Sequence, residues 1–136
     1  MAYARLYIVL KRADMKIYKL IMVMIICVSH VPIQVVSAAA VQEGEASYYA
    51  DSLNGGMTAS GESYDKRALS AAHRSLSFGT KVKVTNLSTR QSVVVVINDR
   101  GPYAKNRIID LSAAAAKKIG LIDAGHGRVR LEVIEP

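Results

Sequence analysis

Two neighbouring segments restrict the fold of this chain more than any others. Lys81-Val-Lys-Val-Thr85 alternates strictly between polar and apolar residues, and Gln91-Ser-Val-Val-Val-Val-Ile97 is a β-branched run of the kind that lies inside a sheet. Asn86-Leu-Ser-Thr-Arg90 between them is turn chemistry, so together they predict a hairpin. Asn98-Asp-Arg-Gly-Pro102 then ends the second strand, because Gly and Pro do not continue a central ladder. Upstream, Gly44 to Ala50 reads as a first strand and Asp51 to Gly61 as a polar loop. Downstream, Arg128 to Val133 alternates so that Val129, Leu131 and Val133 share one face, as a closing strand would. One helix is predicted over Ala113 to Ile119, with Ser112 as its N-cap and Gly120 just past its end. Residues 41–136 contain no cysteine, so no disulfide reinforces this domain of about six short strands. Closing the sheet on itself removes the exposed edges, and the predicted class is all-β: a six-stranded barrel with one short α-helix.

The N-terminal segment reads as an export signal. Met15, Lys16 and Lys19 form a charged start, Leu20 to Val28 an apolar centre, and Ser37-Ala-Ala-Ala40 a small-residue cleavage site. Residues 1–14 are then an upstream extension, 15–40 a signal peptide and 41–136 the mature domain. Ser29, His30 and Pro32 cut the apolar run short of the ~20 residues that a spanning helix needs, although an uncleaved anchor is the alternative reading. Cys27 is preceded by Ile26, where a lipid-acceptor cysteine calls for a small residue. A periplasmic or secreted domain with no lasting membrane anchor is expected. The formal charge of +7 falls to +3 from Val41 onward, with thirteen Lys and Arg against ten Asp and Glu. These basic residues are dispersed rather than interleaved with aromatics, which argues against nucleic acid and leaves a mild attraction to anionic wall polymer. No His, Cys, Asp and Glu set has ligand spacing, so no metal or other cofactor is predicted.

Three polar clusters fall at strand ends, where rigid scaffolds hold functional groups: Thr58 to Glu62, Ala71 to His73, and Asn98 to Pro102, with Asp110 just before the helix. Each has two readings. Asp99 is either a turn-shaping aspartate or a proton donor, and Glu62 either a solvated loop carboxylate or a partner in catalysis. His73 is either a hydrogen-bonded structural histidine or a catalytic one. Asp110 either favours the positive end of the helix or joins the site. His126, in the turn Ala-Gly-His-Gly, carries no functional reading.

Taken in order, Thr58-Ala-Ser-Gly-Glu-Ser-Tyr-Asp65, Ala68 to His73, Leu76 to Thr80, Val84-Thr-Asn86, Ile97 to Tyr103 and Arg107-Ile-Ile-Asp-Leu-Ser112 resemble the rare lipoprotein A family of septal lytic transglycosylases. The resemblance runs from about Gly44 to Val133. It implies a double-psi β-barrel with a groove for the glycan strands of peptidoglycan. It also implies cleavage between N-acetylmuramic acid and N-acetylglucosamine without water, leaving a 1,6-anhydro sugar. One acid/base carboxyl suffices for that reaction, unlike the carboxylate pair of ordinary glycosidases. By likeness of motif Asp99 is the acid/base, Glu62 and His73 complete the catalytic set, and Asp110 matches an aspartate shared with related barrels that tunes or replaces Asp99. Thr58, Ser60, Asn98 and Arg100 are the implied polar contacts to glycan, and Tyr48, Tyr49 and Tyr103 the candidate flat faces for sugar rings, each of which is also readable as a half-buried barrel tyrosine.

Members of the family often carry a lipid and a C-terminal repeat domain that binds peptide-stripped glycan. This chain ends at Pro136, directly after its last strand, so neither division-site recruitment nor a preference for stripped glycan is read from it; a monomer is expected. The competing class is a non-catalytic wall-binding module of the expansin-like or barwin-like kind. The Glu62, His73 and Asp99 set favours the enzyme, and the absence of tryptophan disfavours an expansin-type carbohydrate binder.

Overall fold

The computed structural model describes residues 40–136; the extension expected at 1–14 and, apart from Ala40, the signal peptide expected at 15–40 lie outside the described residues. The strands are β1 (Val41–Tyr48), β2 (Ser70–His73), β3 (Lys81–Asn86), β4 (Ser92–Asp99), β5 (Arg107–Leu111) and β6 (His126–Glu135). A helix, α1 (Ala113–Lys118), lies between β5 and β6, and a 3-10 turn covers Asp51–Leu53. The strands close into a barrel in the order β1-β5-β2-β4-β3-β6. Pairs β1/β5 and β2/β4 are parallel, whereas β1/β6, β2/β5, β3/β4 and β3/β6 are antiparallel.

The predicted hairpin is β3 and β4, with Val82 opposite Val95 and Val84 opposite Val93. Their alternation turns Val82, Val84, Val93, Val95 and Ile97 inward, where Ile109 and Leu111 of β5 and Val129 and Leu131 of β6 meet them. Burial of each such side chain contributes on the order of 1.5–3 kcal/mol, which allows a domain with no disulfide to hold together. The predicted helix is also present. Ser112 Oγ accepts from the Ala115 amide at 3.3 Å and donates to the Ala68 carbonyl at 2.6 Å, while Gly120 turns the chain at φ +67°. Asn86 Nδ2 and Thr89 Oγ1 both donate to the Ile119 carbonyl, at 2.8 and 2.9 Å, so the β3–β4 turn satisfies the helix end that the core would otherwise strand.

Two strands arise where the sequence pattern placed none. β2 is four residues long and buried throughout, so it has no polar alternation to detect, and β5 opens on Arg107 and Ile108, both half-buried. Each supplies a parallel pair, and both carry residues of the polar corner. Among the described residues, no helix is long and apolar enough to cross a membrane.

Candidate active site

The chemistry gathers where β4 leaves its regular pattern. Val93, Val95 and Ile97 point inward in strict alternation, and by that parity Asp99 would follow Ile97 into the core. It does not, because the β2/β4 register skips a residue: Ala71 pairs with Ile97, but Ala72 pairs with Asp99. The extra residue, Asn98, is a β-bulge that re-aims Asp99 to the outer face. Ala72 in turn faces Asp110 on β5, and Asp110 faces Ser47 on β1. Asp99, Ala72, Asp110 and Ser47 therefore form one row across four strands, with the two carboxylates two strand spacings apart, about 10 Å between backbones. Ala72, only 1% exposed, lies between them. Asp110 is itself tethered: Ser47 Oγ donates to its Oδ1 at 2.6 Å, Arg107 Nη1 donates to Ser47 Oγ at 2.9 Å, and Arg107 Nε lies 3.6 Å from the same carboxylate oxygen.

The loop from Ala50 to Ser63 folds over the end of β4. A bridge between Met57 and Ser63 closes it, Gly61 takes φ +89° at its tip, and Ser60 N donates to the Asn98 carbonyl at 3.2 Å. The hydroxyl of Thr58 donates to the Glu62 carbonyl at 2.8 Å and lies 2.9 Å from Ser60 Oγ, so Thr58, only 6% exposed, organises the loop from within. Glu62 is exposed and its Oε2 accepts from Asn98 Nδ2 at 3.3 Å, which brings it to the corner beside Asp99. Asp99 Oδ1 accepts from two backbone amides, Ala59 and Arg100, both at 2.8 Å. Its Oδ2 accepts from the Tyr49 hydroxyl at 2.5 Å. Burial, then the hydrogen bond to Asp99, then the charges of Asp99 and Asp110 push the Tyr49 phenol far above its ordinary value, so Tyr49 remains a donor throughout the physiological range. A cavity of about 160 Å³ opens here, walled by Tyr49, Tyr64, Thr58, Asp99, Leu53 and Met57, with the two tyrosine rings 4.7 Å apart and tilted. A larger depression of about 690 Å³ against α1, bordered by Lys66, Lys117 and Ile122, contains none of the expected site residues.

His73 is not in this cavity. It lines a separate one of about 130 Å³ with Gln42, Arg74, Ser75 and Ile108. Its Nδ1 accepts from the amides of Ser75 and Leu76, at 3.2 and 3.1 Å, and its Nε2 is 3.2 Å from Gln42 Oε1. With Nδ1 accepting, the proton belongs on Nε2. Burial, and secondarily the charges of Arg100 and Arg74, hold the imidazole below its ordinary pKa. Arg100 reaches back to the carbonyls of His73 and Leu76 at 3.2 and 2.8 Å and lies 4.0 Å from the centre of the Phe78 ring. Its guanidinium is therefore engaged with protein. Tyr48 also turns away: it packs on the core and donates to the Ile122 carbonyl at 3.1 Å, leaving Tyr49 as the tyrosine at Asp99. Tyr103 is 85% exposed on the loop after β4.

Sequence reasoning passed over Ser47, Arg107 and Arg74. Arg74 donates through Nε to the Pro102 carbonyl at 2.6 Å and through Nη2 to the carbonyls of Ala104 and Arg107, fixing the loop that follows Asp99. No pattern in the chain announces that role, because backbone carbonyls carry no sequence signature.

A closed six-stranded sheet with two parallel pairs and a bulged polar corner is a double-psi β-barrel domain. Residues 41–131 match the family described as lytic transglycolase, and the chain belongs to that family. The probable endolytic peptidoglycan transglycosylase RlpA of Treponema pallidum is 55% identical over 96 residues, covering 71% of this chain and 30% of the relative. The endolytic peptidoglycan transglycosylase RlpA of Pseudomonas aeruginosa is 48% identical over 93 residues, covering 68% of this chain and 27% of the relative. The chain thus spans about 30% of the length of these curated relatives. Among solved structures, the Streptomyces papain inhibitor superposes with a TM-score of 0.59 at 21% identity, covering 73% of this chain and 98% of that one. The expansin of Clavibacter michiganensis does so with 0.58 at 20% identity, covering 71% and 51%. At these identities the likeness is one of fold.

Proposed function

We propose that this domain is an exported endolytic lytic transglycosylase. In this reading it cleaves the β-1,4 bond between N-acetylmuramic acid and N-acetylglucosamine in peptidoglycan, as a carbon–oxygen lyase, in the periplasm or outside the cell. The observation that carries this reading is Asp99, turned out of the core by the Asn98 bulge and set in the wall of a cavity large enough to admit part of a sugar. About half-identity to relatives named for this activity supports it.

The proton bookkeeping follows from the hydrogen bonds. Oδ1 of Asp99 is occupied by two amide donors, so Oδ2, the oxygen shared with Tyr49, is the one from which a proton can be handed on. Delivered to the glycosidic oxygen, it lets the bond to the muramoyl anomeric carbon break. The C6 hydroxyl of the same muramoyl residue attacks that carbon, and its proton returns to Asp99. A 1,6-anhydro end and a free 4-hydroxyl result, and no water is consumed. Tyr49 orients the carboxyl, and Glu62 and Asn98 border the cleavage point, while Asp110, held by Ser47 and Arg107 two strands away, shapes the same face of the barrel. Exposed Tyr103 provides a flat face for a neighbouring sugar.

Mass spectrometry of the soluble products formed by residues 41–136 from purified peptidoglycan tests this. Anhydromuropeptides are the expected result. Reducing-end sugars would make the protein a hydrolase, and binding to sacculi with no released product would make it a wall-binding module.

A further inference from the structure

We infer that His73 is a positioning residue, which holds the Asp99 corner in shape through backbone amides and carbonyls and transfers no proton itself. This rests on the reading of Asp99 given above and deepens it. The imidazole is 6% exposed and shares no cavity with Asp99. Both ring nitrogens are already in use: Nδ1 receives the amides of Ser75 and Leu76, and Nε2 meets Gln42. No lone pair or proton of the ring is left over for a sugar.

What the ring does hold is the turn that leaves β2. By accepting from residues two and three positions ahead, Nδ1 curls residues 73–76 so that the carbonyls of His73 and Leu76 converge on Arg100 Nη1. Arg100 is the residue after Asp99, and its amide is one of the two donors on Asp99 Oδ1. From the same turn Arg74 reaches the opposite way, to the carbonyls of Pro102, Ala104 and Arg107. The two arginines form a reciprocal clasp, in which the loop after β4 grips the turn after β2 and is gripped by it. His73 is the residue on which the turn's curvature depends. Its role is that of an acceptor at a fixed point, and that role is separable from titration.

A pair of substitutions separates them. Asn at position 73 places an acceptor oxygen where the imidazole has Nδ1 and titrates nowhere near neutral pH. Gln extends toward Gln42 but leaves the two amides without that acceptor. His73→Asn is expected to keep activity on peptidoglycan within about tenfold of the parent and to keep the shape of its pH profile. His73→Gln is expected to fall well below it. A folded His73→Asn protein that loses the ~10²–10⁴-fold typical of a missing general acid or base, or that loses one limb of the pH profile, overturns the inference while leaving the proposed activity intact.

If the parent protein releases no anhydro product, the proposed function fails, and two further measurements then decide the role of His73. Nitrogen NMR of the parent imidazole is expected to show the neutral Nε2–H form at neutral pH. Amide exchange at Ser75 and Leu76 is expected to remain slow in His73→Asn and to become fast in His73→Gln. A charged ring at neutral pH, or equal exchange in the two variants, would end the argument.

Discussion

The two sides of this barrel are made of the same material and behave differently. On the side formed by β3, β6 and the body of β4, long strands pair antiparallel with Val opposite Val, and inward residues alternate; the one register shift there, between Lys81 and Val82, falls at the end of the β3/β6 ladder. On the side formed by β1, β5, β2 and the end of β4, both parallel pairs slip register, between Glu45 and Ala46 and between Ala71 and Ala72, and polar side chains face one another across strands. The first side is built for burial. The second uses its irregularities to bring Asp99 and Asp110 out of the core and tether them to hydroxyls and amides. Regular pairing supplies the stability that the bulged corner spends nothing to provide for itself.

Substitutions on each side should therefore fail in different ways. The largest separation is expected from Asp99→Asn, which keeps the side chain's size and an acceptor for the two amides but cannot deliver the proton or accept from Tyr49; product release should drop by ~10²–10⁴ in protein that keeps its circular dichroism spectrum. Its counterpart is Ile97→Ala, two residues earlier on the same strand and fully buried. There the loss is in stability, about 2–5 kcal/mol by urea denaturation, with the surviving folded fraction still active. If Ile97→Ala instead abolished activity in fully folded protein, the division between the two sides would not hold.

Tyr49→Phe sharpens the comparison within the corner. Losing a hydrogen bond to a carboxylate costs about 1.5–3 kcal/mol, so turnover should fall about ten- to a hundredfold with little change in substrate affinity. The smallest expected effect is a pH dependence of stability. The fold holds His73 neutral below its ordinary pKa, so on acidification the unfolded chain takes up this proton first. The stabilising contribution is fully present above the ordinary value of about 6.5, is lost as the pH falls toward the folded value, and then levels off. Denaturation midpoints across that window should slope for the parent and less so for His73→Asn.

The same contrast explains what could be read in advance. The hairpin, the helix with its Ser112 cap and the closing strand were legible because each advertises itself by period or by an end signal. β2 and β5 were not: β2 is four residues long, buried throughout and so without alternation, and β5 is only five residues long, and neither is joined to its parallel partner by a tight turn. Asp99 and Glu62 stood out by motif, and the loop over β4 does bring them together through Asn98. The separation of His73 from Asp99 could not be read, because it depends on which way a ring turns at the end of a four-residue strand. The two adjacent tyrosines make the point most simply. Neither composition nor motif distinguishes Tyr48 from Tyr49, yet a one-residue change of parity sends the first to the Ile122 carbonyl and the second to Asp99.

Closure of the sheet also limits how a long polymer can be recognised. With every strand flanked on both sides, the ladder has no free row of amides and carbonyls along which an extended chain could dock. Under the proposed function, affinity for glycan comes from the segments that rise beyond the strand ends, chiefly residues 50–63 and 100–106. Altering their length should retune which stretch of a glycan is gripped while leaving the barrel beneath them unaltered.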